Sequence, residues 1–218
     1  MKKIISLSLG ISLLTLATFG IFESEVTTAA AASDTVTVSL IVTSGISITT
    51  PADVSLKPDL VGFTGGGYAT NTVTWNVKTS NDTGYNIGVK ASTDPALKIA
   101  SFSFANYTPT GGTATPDYTW GIGAAISEFG FSPYNATNQV AKFKNDGASK
   151  CATGSTVTTW RCFFPFGTSD TQVANRATKT TTAGEDTIID LEAQIDVANG
   201  YQEDGTYTAT ITATATEN

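Results

Sequence analysis

In Val73-Thr74-Trp75-Asn76-Val77-Lys78 the apolar side chains fall on every second position. Asn81-Asp82-Thr83-Gly84 follows, and Tyr85-Asn86-Ile87-Gly88-Val89 then resumes the alternation as far as Ala91. A period of two places Val73, Trp75 and Val77 on one face of a strand, with Thr72, Thr74, Asn76 and Lys78 on the other. The intervening residues are turn chemistry, with side-chain acceptors first and then a glycine free to take positive φ. The stretch therefore reads as two strands joined by a four- or five-residue loop, a hairpin.

The same design extends outward in both directions. Ile189, Leu191, Ala193, Ile195 and Val197 alternate with Asp190, Glu192, Gln194 and Asp196, which are expected to face water. After the loop Asn199 to Gly205, the residues Tyr207, Ala209, Ile211, Ala213 and Ala215 alternate with threonines. Near the other end, Val36, Val38, Leu40 and Val42 share one face of Thr35 to Thr43. This segment reads as the first strand of its own domain, or as a strand donated to the edge of a neighbouring molecule. The chain holds 39 threonines. Threonine is β-branched and suits a solvated pleat, so this abundance is accounted for without glycans or chemistry. No stretch has the period of a long amphipathic helix. Ala124 to Phe129 would make at most one short turn.

Strands with one wet face form antiparallel sheets, and two such sheets packed face to face make a sandwich. The expected fold is all-β, an antiparallel Ig-like or pilin-like β-sandwich with a long loop-rich central insertion. Residues 1–32 read as a signal peptide. Lys2 and Lys3 open it, an apolar run reaches Phe22, and Ala29 to Ala32 satisfy the small-residue cleavage rule. The alternative is an uncleaved N-terminal anchor. Residues 33–218 then form a single domain, whose part 99–186 is irregular and rich in glycine and proline. No later run reaches the ~18 apolar residues of a membrane helix.

Composition removes several function classes. The chain has 12 basic and 19 acidic residues, a net charge of −7, and no histidine. A nucleic-acid partner needs a basic surface. Ser-His-Asp catalysis and His-ligated metal sites need the missing residue. Cys151 and Cys162 cannot close a zinc site alone, and in an exported chain they are expected to form a disulfide.

The remaining candidates are modest. Asp190 and Glu192 would stand about 7 Å apart on one strand face, within the range of a glycoside-hydrolysing pair. Solvated surface is the plainer reading of them. Glu203 and Asp204, with backbone carbonyls, are hard oxygen donors of the kind calcium takes in loops. Tyr107, Tyr118, Trp120 and Tyr134 are concentrated in the irregular middle. They serve either as stacking platforms for sugars or as filling beneath long loops. Trp160 is expected against the disulfide.

The ending Gly205-Thr206-Tyr207-Thr208-Ala209-Thr210-Ile211-Thr212-Ala213-Thr214-Ala215 resembles the last strand of spore coat protein U and related pilin-like secreted domains, and that of WxL surface domains. The run Val73 to Val77 through Gly84 to Val89 is similar to their early hairpin. The likeness is confined to the two ends of the mature chain. The paired W-x-L signature is absent, and Trp75-Asn76-Val77 and Trp120-Gly121-Ile122 only approximate it, so peptidoglycan binding does not carry over. The early cysteine of pilin-like domains is also missing. The resemblance implies a non-enzymatic Ig-like sandwich on or outside a bacterial surface, able to self-assemble. Its partners would be itself, other surface proteins, or cell-wall or host glycans.

Overall fold

A computed structural model describes residues 34–112, 114–123, 127–134, 138–154, 161–196 and 201–218. The expected signal segment 1–32, Trp160, Val197 and the start of the helical turn expected from Ala124 lie outside the described residues, and the end of that expected turn, Glu128 and Phe129, is strand instead. Along the chain come β1 (Ile46–Ile48), β2 (Tyr68–Thr79), β3 (Tyr85–Ala91), β4 (Lys98–Ile99), β5 (Phe102–Ser103) and β6 (Ala105–Asn106). They are followed by β7 (Glu128–Tyr134), one 3-10 turn (Ala141–Phe143), β8 (Thr171–Arg176), β9 (Glu185–Gln194) and β10 (Ile211–Glu217). The first sheet has the order β1-β2-β9-β7-β6 and the second β10-β3-β8, while β4 and β5 form a two-stranded sheet of their own.

The fold is all-β, and its two larger sheets share one core. Val73, Trp75 and Val77 on β2 join Tyr85, Ile87 and Val89 on β3 in a single buried cluster with Phe131, Ile189 and Leu191. Each such side chain contributes about 1.5–3 kcal/mol on burial. The alternation read from the sequence identifies these inward faces correctly. On β10 it also holds, with Ile211, Ala213 and Ala215 packed against the core and Thr212, Thr214 and Thr216 exposed.

The pairing differs from the hairpin expectation. β2 bonds to β1 and β9, whereas β3 bonds to β10 and β8. The turn at Asn81 to Gly84 is therefore an arch that carries the chain from one sheet to the other. Gly84 sits at φ +81°, and a Cβ there would run into the backbone carbonyl of Arg176. β9 and β10 are likewise in different sheets. Periodicity reports which side chains are buried, and an arch uses the same turn residues as a hairpin.

Two further expectations are corrected. Thr35 to Thr43 forms no strand, and Val36, Val38, Leu40, Ile41 and Val42 are 83–87% exposed. Val42–Asn218 is one compact unit, and the described residues 34–41 fall outside it. The part 99–186 carries short strands between long connections, and it supplies β7 to the interior of the first sheet and β8 to the second. Glu128-Phe129-Gly130-Phe131-Ser132-Pro133-Tyr134 escaped recognition because Gly130 and Pro133 read as turn residues. β6 also runs parallel to β7, a departure from the all-antiparallel expectation.

Most sheet edges are covered. Segment 138–140 bonds along β8, with the Val140 N–H donating to the Val173 carbonyl at 3.1 Å and the Asn175 N–H to the Asn138 carbonyl at 2.7 Å. Beyond β6, Phe131 and Phe164 exchange N–H···O bonds of 2.9 and 2.8 Å. β10 has β3 as its hydrogen-bonded strand neighbour, and β1 lies close to it, with the Ser44 hydroxyl donating to Glu217 Oε2 at 2.9 Å.

Candidate functional site

The register of β7 against β9 sets Glu128, Gly130 and Ser132 opposite Gln194, Glu192 and Asp190. With Ile189, Leu191 and Ala193 in the core, period two turns these polar residues to the outer face of the first sheet. That face is not wet. Asp190 is 2% exposed and Glu192 is 7% exposed. The middle region folds over them, which corrects the expectation of a solvated strand face. Alternation shows that two faces differ in polarity, not that the polar one is open.

The cover is built by specific contacts. The Arg161 Nε pairs with the Asp190 carboxylate. Beside it the Cys162 N–H donates to Ser132 Oγ at 2.7 Å. Trp120 Nε1 donates to Gln194 Oε1 at 2.6 Å. Tyr107 and Trp120 stack with ring centroids 4.4 Å apart and an interplanar angle of 20°. Gly130 lies beneath that stack, where an added Cβ would come within 2.6 Å of Tyr107 Cβ. The missing side chain is what lets the stack sit on the sheet. Tyr107 OH donates to Asp117 Oδ2 at 2.9 Å, and the same oxygen accepts the Thr110 N–H at 2.6 Å. Burial and the neighbouring Asp117 raise the Tyr107 phenol above its ordinary value.

Burial dominates the electrostatics of the acids. It raises Asp190, against the opposing pull of Arg161. It pushes Glu192 up to about 7, assisted by the charge on Asp190 and opposed by Arg161. Glu128 is also raised by burial, partly offset by the Thr108 N–H that its carboxylate accepts at 3.2 Å. Near neutral pH Glu192 is therefore close to its midpoint, beside the Asp190–Arg161 pair.

A pH dependence follows. The Glu192 carboxyl goes from an ordinary value of 4.5 to about 7 on folding, so the folded state holds the proton more tightly. The associated stability is complete below pH 4.5 and is lost as pH rises through 7, a change of about 3 kcal/mol. Glu192→Gln should remove this part of the slope. Urea unfolding at pH 5 and pH 8 checks it, and equal pH slopes for variant and wild type would contradict it.

The sequence-derived candidates are placed as follows. Tyr107 is buried, and Tyr118 and Trp120 are half-buried. Tyr134 is half-buried, with the Arg161 guanidinium 5.2 Å from its ring centroid. Tyr107 and Trp120 are brought together, but against each other and Phe163 rather than as open platforms. Glu203 and Asp204 are exposed on the loop before β10, where the Glu203 carbonyl accepts from Tyr207 OH at 2.9 Å. Among the described residues no three His, Cys, Asp or Glu side chains are grouped as metal ligands would be. Cys151 and Cys162 are disulfide-bonded with their Cα atoms 5.9 Å apart.

The disulfide fixes the segment that carries Arg161. Its short loop is worth about 2–3 kcal/mol in the chain-entropy account. Cys151→Ser/Cys162→Ser should lower stability by that amount. Thermal unfolding with and without reductant checks this, since only the wild type should respond to the reductant.

Sequence reasoning missed the rings that are open. Phe63, Tyr68 and Tyr201 are exposed, and Phe63 meets Tyr201 edge-on at 6.5 Å. The Gln202 N–H donates to the Gly62 carbonyl at 2.9 Å and holds the two loops together. The available signal was an aromatic residue in the glycine-rich run Gly62 to Gly67, where no strand hides it. Comparison with known proteins finds no family model, no curated protein and no solved structure that matches the chain.

Proposed function

We propose that this chain is a secreted, non-enzymatic structural or adhesive protein of a cell surface, working by contact with other proteins, copies of itself included. One observation carries the reading. Five apolar side chains between Val36 and Val42 are 83–87% exposed on a segment that forms no strand. Contiguous exposed apolar surface of this kind marks an interaction site. The disulfide agrees with an oxidising compartment. Among the described residues no helix is long and apolar enough to cross a membrane. The Ig-like and pilin-like likeness read from the sequence points the same way.

The test is size-exclusion chromatography with light scattering, and negative-stain electron microscopy, on the chain beginning at Ser33. Species larger than one chain, growing with concentration, are expected. A monomer at every concentration would remove self-assembly from the reading.

A second reading, carbohydrate binding, draws support from Phe63, Tyr68 and Tyr201, whose rings are open to stack on sugars. Glycan binding lost in Tyr201→Ala with the fold intact would favour it. A hydrolase built on Asp190 and Glu192 has less support, since both acids lie under the Arg161–Cys162 segment.

A further inference from the structure

We propose that Trp120 and the chain around it form a proton-held cover over the outer face of the first sheet, closed while Glu192 is protonated and opening locally when Glu192 ionises. The inference goes beyond the surface-protein reading and does not depend on it.

Three acids and one cation meet under this cover. Glu128, Asp190 and Glu192 are buried, and Arg161 is the one cation paired with any of them among the described residues. With all three ionised, negative charge would exceed positive in a space closed to water, which is costly. Two of the acids have a partner that steadies their charge. Asp190 has Arg161, and Glu128 accepts the Thr108 N–H at 3.2 Å. Glu192 is 7% exposed and has neither an ion pair nor a hydrogen-bond donor among the described residues. It is therefore the acid that carries a proton when the cover is shut. The other titratable groups on the elements packed around it are Tyr68 on β2, Tyr134 on β7, and Tyr107, Asp117 and Tyr118 in the cover. Beyond β2, Lys57 is exposed and paired with Asp59 at 2.6 Å. None of these brings a second cation to Glu192.

The strand register sets the charge beside Trp120. Glu192 lies opposite Gly130 on β7 and Thr70 on β2, and directly opposed residues stand about 5 Å apart. Gly130 is beneath the stack of Tyr107 and Trp120, and a Cβ on it would be 3.2 Å from Trp120 Cζ3. The indole N–H of Trp120 is held by Gln194, two residues from Glu192 on the same strand face.

This side of the cover can move without the core. Thr119, Gly121 and Gly123 around Trp120 are exposed, and the stretch has no strand. The other side is pinned, because Cys162 is disulfide-bonded and its N–H donates to Ser132. Burial and the Asp190 charge push the Glu192 carboxyl up to about 7, which places the change near neutral pH. Below that the neutral acid needs no water, and above it the carboxylate gains from opening. Opening hydrates Glu192 and frees the faces of Tyr107 and Trp120.

The experiment follows hydrogen exchange of the Trp120 indole N–H by NMR from pH 5 to 8.5, with the signal identified by its loss in Trp120→Phe. Protection relative to free indole at the same pH should be constant in acid. Above the Glu192 midpoint it should fall about tenfold per pH unit, the linkage of one proton. It should also stay well below the protection of the β3 backbone amides, and it should be flat in Glu192→Gln. The same fall in Glu192→Gln overturns the proposal. So does protection equal to that of the β3 amides at every pH, since the proton would then exchange only when the whole molecule unfolds. Should Glu192→Gln not fold, the wild type decides alone. The midpoint of the Glu192 side-chain carboxyl ¹³C shift must coincide with that of the Trp120 indole shift, and midpoints more than about one unit apart overturn the proposal.

Discussion

Arg161→Met should destabilise the protein by about 4 kcal/mol at pH 8 and by much less at pH 5. Asp190 is 2% exposed and has the Arg161 guanidinium as its ion-pair partner. Removing the cation strands a carboxylate in a place where burial already favours the neutral form. Glu192, two residues along the same strand face, adds repulsion. The sign is that of an acid whose folded-state pKa is raised. The variant keeps its stability while Asp190 is protonated and loses it as pH rises. Some loss will persist at pH 5, because the guanidinium also packs on the Tyr134 ring. Chemical denaturation at the two pH values measures both parts. A deficit that is the same at pH 5 and pH 8 would mean that Arg161 acts by packing alone.

Phe131→Ala should cost about 4 kcal/mol through lost burial and a residual cavity. Phe131 is fully buried on β7 and lies at the centre of an aromatic group. Its ring centroid is 4.4 Å from that of Phe166, 5.8 Å from Phe143 and 6.3 Å from Phe164. Truncation leaves three rings facing a void that the two flanking sheets cannot collapse. For a domain of this size the midpoint should fall by roughly 10 °C. Phe131→Leu should recover much of the loss, since it restores most of the volume. Differential scanning calorimetry of the two variants decides the matter. Equal midpoints for Ala and Leu would show that the ring's volume is not what matters there.

The sequence made the inward faces legible and left the connections illegible. Val73, Trp75, Val77, Tyr85, Ile87 and Val89 were identifiable because burial imposes a period of two. Whether the turn at Asn81 to Gly84 closes a hairpin or crosses between sheets depends on partners far away in the chain. β9 inserts next to β2, and β10 next to β3. β7 was hidden for a local reason, because Gly130 makes room for the Tyr107 and Trp120 stack and so removes a strand signal. The acids were misjudged because Asp190 and Glu192 alternate cleanly with apolar residues, and nothing in that alternation announces the cover laid over them. Thr35 to Thr43 has as good a strand pattern as β2. It forms no strand among the described residues, so the period of two alone does not decide whether a segment pairs.

The placement of β9 beside β2 also sets a timetable for synthesis. Tyr68 pairs with Gln194, a separation of 126 positions (194 − 68). A ribosome releases β2 long before β9 exists. Throughout that interval Val73, Trp75 and Val77 lie on a strand without its main neighbour, and the first sheet cannot close until nearly the whole polypeptide has emerged. Contacts this distant slow folding and lengthen the exposure of sticky intermediates. The fold therefore exposes most of its apolar surface in the interval before β9 joins β2.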